Sequence, residues 1–97
     1  MSYDPGALST ALAAAVGDDP ALVAELRIAF VASAATLADL LARSRCDANW
    51  RAAAWRLHGL SASFGALELM ALAGEAASGA PGDPLVLRRI HEAVRGF

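Results

Sequence analysis

Apolar residues recur at spacings of three and four along most of the chain, the period of one face of an α-helix. In one segment the series is Val23, Leu26, Phe30, Leu37 and Leu40, with Ser33 at the missing step. In the next it is Trp50, Ala53, Leu57, Leu60 and Phe64. Two further series follow: Leu67, Met70, Gly74 and Ala77, then Leu87, Ile90, Val94 and Phe97. Each is read as the buried stripe of a helix. No stretch alternates with period two, so no strand is expected.

Helix starts are marked as clearly as the stripes. Asp4-Pro5, Asp19-Pro20 and Asp83-Pro84 each pair a carboxylate, which accepts hydrogen bonds from free N–H groups, with a residue that lacks an N–H and already has a helical φ. A fourth start is placed at Asp47, after the polar Ser44-Arg45-Cys46. Breaks fall at Gly17-Asp18, at Gly65 and in the turn Ser78-Gly79-Ala80-Pro81-Gly82. The helices are therefore predicted at about 5–16, 20–44, 48–64, 66–78 and 84–95. Short connections favour antiparallel neighbours. The expectation is one all-α domain over residues 1–97, an antiparallel up-down four-helix bundle with a short N-terminal helix.

The third helix carries something a solvent face normally lacks. With Leu57 at the centre of its buried stripe and about 100° per residue, Trp55 falls about 160° away. Ala48, Ala52, Gly59 and Ala62 share that outer strip, and Arg51, Arg56 and His58 flank it. Gly inside a helix costs about 1 kcal/mol relative to Ala, so Gly59 calls for a reason such as close approach of a partner. A large aromatic ringed by small residues is a surface that a partner helix can cover. The alternative is that the N-terminal helix folds over the strip and buries Trp55 within the chain.

The same segment, from Ala54 to Ala66, resembles the signature of histidine-phosphotransfer (Hpt) domains. That signature runs Ala-His-x-Leu-Lys-Gly, a small-residue stretch, then Gly-Ala. Ala54, Leu57, Gly59, Ser61, Gly65 and Ala66 match it. Leu22–Leu41, Asp47–Trp50 and Leu67–Glu75 resemble the family's flanking segments, so the likeness spans about residues 4–95. It implies an up-down four-helix bundle in a two-component phosphorelay, where an exposed His takes phosphate from a receiver aspartate and passes it on. Trp55 stands at the phosphohistidine position and His58 at the position of the phosphate-steadying Lys. The indole nitrogen has no free lone pair with which to attack phosphorus. The resemblance therefore implies a degenerate, non-enzymatic signalling module that docks a receiver domain or histidine kinase through Trp55, Gly59, Ala52, Ala62, Arg51, Arg56 and His58. One rival is phosphotransfer through His58. The other is an adaptor bundle that homodimerises through the Trp55 face.

Composition narrows the remaining classes. Alanine supplies 25 of 97 residues, so the mean hydropathy of +0.44 reflects helix-forming alanine more than membrane character. The longest apolar run, Ile28–Ala38, is too short to span a bilayer, and no signal peptide pattern is present. No membrane insertion is expected. The charge is −2, Lys is absent, and eight Arg are dispersed, which argues against nucleic-acid binding. A lone Cys46 excludes an internal disulfide and suits the cytoplasm. No cluster has metal-ligand spacing, no glycine-rich loop follows a strand, and no cofactor is expected. Neither Ser61 nor Ser63 has a base at useful spacing. His91 is read as plain surface.

Overall fold

In the computed structural model, residues 5–17 and 19–97 are described, with no account of the side chains of residues 5, 6, 7 and 9. Asp4 and Asp18, assigned above to a helix start and a break, lie outside the described residues. Among the described residues five helices follow one another: α1 (Pro5–Val16), α2 (Pro20–Arg43), α3 (Asp47–Ser63), α4 (Leu67–Ser78) and α5 (Pro84–Arg95). No strand occurs among the described residues.

The starts have the chemistry expected of them. The Asp19 carboxylate accepts from the N–H groups of Ala21 (3.0 Å) and Leu22 (3.3 Å), with Pro20 opening α2. Asp83 accepts from Leu85 N–H at 3.0 Å ahead of Pro84. The fourth start falls at Asp47, where α3 opens. Its N-cap is Cys46, whose side chain makes no capping bond. Asp47 lies inside the first turn, where its negative charge meets the positive end of the helix dipole.

The end of α3 explains Gly65. The N–H of Gly65 bonds to the Ala62 carbonyl (3.2 Å) and that of Ala66 to the Ser61 carbonyl (2.9 Å). This is a Schellman closure, which needs a left-handed residue after the cap. Gly65 has φ +70°, and a Cβ there would come within 2.9 Å of the Ala11 Cβ on α1. Gly65→Ala is expected to cost at least about 1–2 kcal/mol from the backbone conformation alone. A chemical melt indistinguishable from wild type would contradict both the turn and the docking of α1.

Each of α2 to α5 packs on the next, α5 returns to α2, and α1 packs on α2. The long axis of 42 Å is set by α2, whose 24 residues span about 36 Å. The core is dense in alanine: Ala34 and Ala38 on α2, Ala53 and Ala54 on α3, and Ala73 and Ala76 on α4 are all buried. Small side chains let helix axes approach closely, and larger residues plug the gaps. Phe30 is fully buried, with the rings of Phe64 and Phe97 each 5.0 Å away. Trp50 crosses from α3 to α4 and donates from Nε1 to the Ala76 carbonyl at 2.6 Å.

The stripes shift where two series of three-four spacing share one helix. On α4 the buried residues are Leu69, Leu72, Ala73, Ala76 and Ala77, whereas Leu67 is exposed and Met70 and Gly74 are only partly buried. Two stripes of three-four spacing exist in this segment. The one that wins presents small residues to α3 and an acceptor carbonyl to Trp50. On α2, Ala34 is buried and Ser33 is exposed, the reverse of the expected filler; Val23, Leu26 and Leu40 sit at the core margin. On α3, Ala54 and Ser61 join Trp50, Ala53 and Leu57, while Leu60 and Phe64 are partly buried. Ser61 turns its hydroxyl inward to its own helix, donating to the Leu57 carbonyl at 2.8 Å. On α5, Val86 and Ala93 are buried with Ile90 and Val94, and Leu87 and Phe97 flank them.

The length argument against a membrane span also needs correction. Although Ile28–Ala38 is short, an 18-residue window within α2 reaches a mean hydropathy of 1.7, long and apolar enough on those grounds alone to cross a bilayer, and 22% of that window is buried.

Candidate functional site: the outer strip of α3

Because Leu57 and Trp50 fix the inner face of α3, the helical step fixes the outer one. Ala52, Trp55, Arg56, Gly59 and Ala62 are all exposed, as are Ala48 and Arg51. Trp55 is 49% exposed, a large area for an indole. The alternative of a covering N-terminal helix is not realised: α1 buries Leu8 and Leu12, and its Ala11 reaches Gly65 at the far end of α3.

Gly59 answers the question its presence raised. A Cβ there would meet nothing within 4 Å. Nothing among the described residues therefore requires a glycine there, and the helix-propensity cost is not repaid by packing against them. The Trp55 ring is held edge-on by His58, with centroids 5.0 Å apart and planes at 81°. His58 is half-buried and leans toward α4, its Cδ2 lying 3.7 Å from where a Cβ on Gly74 would stand. The imidazole thus serves as a support for the indole at the rim of the strip. His91 is also half-buried, with Nδ1 2.8 Å from the Leu87 carbonyl within α5.

Beside the strip lies a feature that the one-helix wheel did not reveal. A groove of about 370 Å³ runs between the end of α2 and the start of α3, with Leu40, Ala52 and Ala53 as its apolar lining and Arg43, Arg45, Asn49 and Arg56 as its polar lining. Arg56 also borders a second hollow with Thr36 and Leu60. Arg43 pairs with Asp39 at 3.2 Å, but Arg45, Arg51 and Arg56 have no carboxylate partner among the described residues. Half of the chain's eight Arg thus stand within residues 43–56, around the strip and its groove. The dispersed Arg of the linear sequence become a local positive region because the α2–α3 connection is short. A signal existed in the spacing of Arg43, Arg45, Arg51 and Arg56 across a predicted turn.

The strip has apolar area, small-residue clearance and flanking cations, which suits protein docking. No group of three or more His, Cys, Asp or Glu among the described residues could hold a metal ion. Cys46 is exposed and free. Comparison with protein-family models, with curated proteins and with solved structures finds no match to this chain.

Proposed function

We propose that α2–α5 form an antiparallel up-down four-helix bundle, with α1 as an added N-terminal helix, and that this bundle is a degenerate Hpt-like module. It docks a receiver domain or histidine kinase in a cytoplasmic two-component system and carries no phosphate itself. The packing of each helix on the next, with α5 returning to α2, supports the bundle. The function rests on one observation above the others: an exposed Trp55 beside an unobstructed Gly59, at the place where the resembled family presents its phosphohistidine.

The chemistry follows from the ring. Trp55 offers an N–H donor and a large apolar face but no nucleophilic lone pair, so a docked receiver aspartyl phosphate would find no acceptor there. Arg51 and Arg56 flank the indole and suit an acidic partner surface, acting more on association rate and salt dependence than on final affinity.

Pull-down against purified receiver and kinase domains tests the docking. Incubation with a phosphorylated receiver tests the missing transfer: the expected result is binding with little or no acid-labile phosphate on this chain. A strong phosphorylated band that disappears in His58→Ala would replace this reading with phosphotransfer through His58. Absence of binding to every receiver and kinase would favour an adaptor role outside phosphorelays.

A further inference from the structure

The outer face of α2 leaves apolar surface open around Ile28. At about 100° per residue, Ala21, Glu25, Ile28, Ala32, Ala35 and Asp39 fall within about 40° of one line. All six are exposed, and Ile28 in their midst is 69% exposed. None of the other four helices covers this line. Arg43, also exposed, lies on the same side at the C-terminal end of the helix.

We propose that a second copy of this chain covers the face, packed antiparallel across a two-fold axis near the level of Ala34. The charges select this arrangement. Glu25 has no ion pair among the described residues, although it stands on an otherwise apolar part of the face. Arg43 meets Asp39 through its Nε edge at 3.2 Å, so the outer edge of its planar guanidinium is left for a second carboxylate. An antiparallel copy that sets Glu25 opposite the other copy's Arg43 makes this pair twice, once at each end. The two ends are 18 residues apart, about 27 Å along the helix. Between them Ala32 comes level with Thr36 of the other copy, residues small enough to let the helix axes come within about 8–10 Å. Ile28 then loses its exposure near each end of the contact.

A lipid surface suits the face less well. Helices that lie on membranes carry Lys and Arg along their polar border, whereas here Glu25 and Asp39 stand within the face and would be repelled by anionic headgroups. The dimer contact is separate from the Trp55 strip and does not depend on what that strip docks.

Sedimentation equilibrium from about 10 μM to about 1 mM covers the range in which weak contacts of this kind associate. The full chain should approach twice its 9.9 kDa mass. Ile28→Arg should weaken dimerisation at least about tenfold, the scale of a central interface residue. Glu25→Arg should also weaken it, and Glu25→Arg combined with Arg43→Glu should recover it. Circular dichroism verifies that these surface variants keep their helices. A monomer at every concentration would overturn the proposal. So would a dimer that survives Ile28→Arg and dissociates in Trp55→Ala, which would place the contact on α3. Failure of the charge exchange to recover association would overturn the antiparallel register. Co-flotation of a monomer with phosphatidylcholine–phosphatidylglycerol vesicles, lost in Ile28→Arg, would assign the face to a membrane instead.

Discussion

Trp50→Ala is expected to lower the free energy of unfolding by about 3–5 kcal/mol, the range for truncating a large buried aromatic. Trp50 is only 1% exposed, and its ring occupies the junction of α3 with α4. Its Nε1 donates to the Ala76 carbonyl at 2.6 Å, so the substitution removes both the apolar volume and the polar link between helices. The facing α4 buries Ala73, Ala76 and Ala77, which have no side-chain length with which to fill the space. Domains of this kind are stable by about 5–15 kcal/mol in total, so the loss takes a large share. Urea denaturation followed by circular dichroism measures it. Trp50→Phe separates the two contributions, since it keeps most of the ring and loses the donor, and should cost distinctly less. A shift in Trp50→Ala of under about 1 kcal/mol would mean that Trp50 does not span the two helices.

Leu57→Ala is expected to cost about 2–5 kcal/mol, the cavity-scale loss for a buried leucine. Leu57 has no exposed surface and lies on the side of α3 opposite the candidate site. The effect therefore reads the register of α3 directly, because a rotation that exposed Leu57 would bury Trp55. A variant with unchanged thermal stability would contradict that register and, with it, the outward placing of the strip.

The helix starts were legible because they are written in local chemistry. Asp19 and Asp83 cap through their own carboxylates, and each is followed by a proline that cannot occupy a helix interior without loss. The start of α3 at Asp47 was legible as well, although the preceding Cys46 holds the cap position without a side-chain bond. The inner stripe of α3 was legible from Trp50, Ala53 and Leu57, because the rival series Ala48, Ala52, Trp55, Gly59 and Ala62 holds only one large side chain. On α4 two stripes compete, and the expected one, Leu67, Met70, Gly74 and Ala77, loses to the one that carries Leu69 and Leu72. The deciding contributions are the small Ala73 and Ala76 and the carbonyl that Trp50 needs, and these depend on a neighbouring helix. Ser33 and Ala34 changed places for the same reason: a packed interface selects size as well as polarity.

The outer strip was legible as soon as the inner stripe was right, since exposure of Trp55, Gly59, Ala52 and Ala62 follows from the helical step. What the wheel did not give was the neighbour of each residue across helices. The partial burial of His58 against α4 near Gly74 needed the placing of α4. The groove that brings Arg43 and Arg45 near Arg56 needed the angle between α2 and α3. Both arise from packing between elements, which periodicity within one element does not encode.

The outer strip of α3 is proposed as the surface on which a partner docks. Titration calorimetry of the full chain against a panel of purified receiver and kinase domains tests it most directly, with wild type, Trp55→Ala and Gly59→Leu compared and circular dichroism as the folding control. Wild type is expected to bind, and Trp55→Ala to weaken binding by about 2 kcal/mol or more, roughly 30-fold, with the helices intact. Gly59→Leu should block docking by bulk, while the isolated protein stays as stable as wild type or slightly more so, because the position is open and leucine is the better helix former. Binding of both variants with wild-type affinity, or no binding by wild type to any member of the panel, would contradict it.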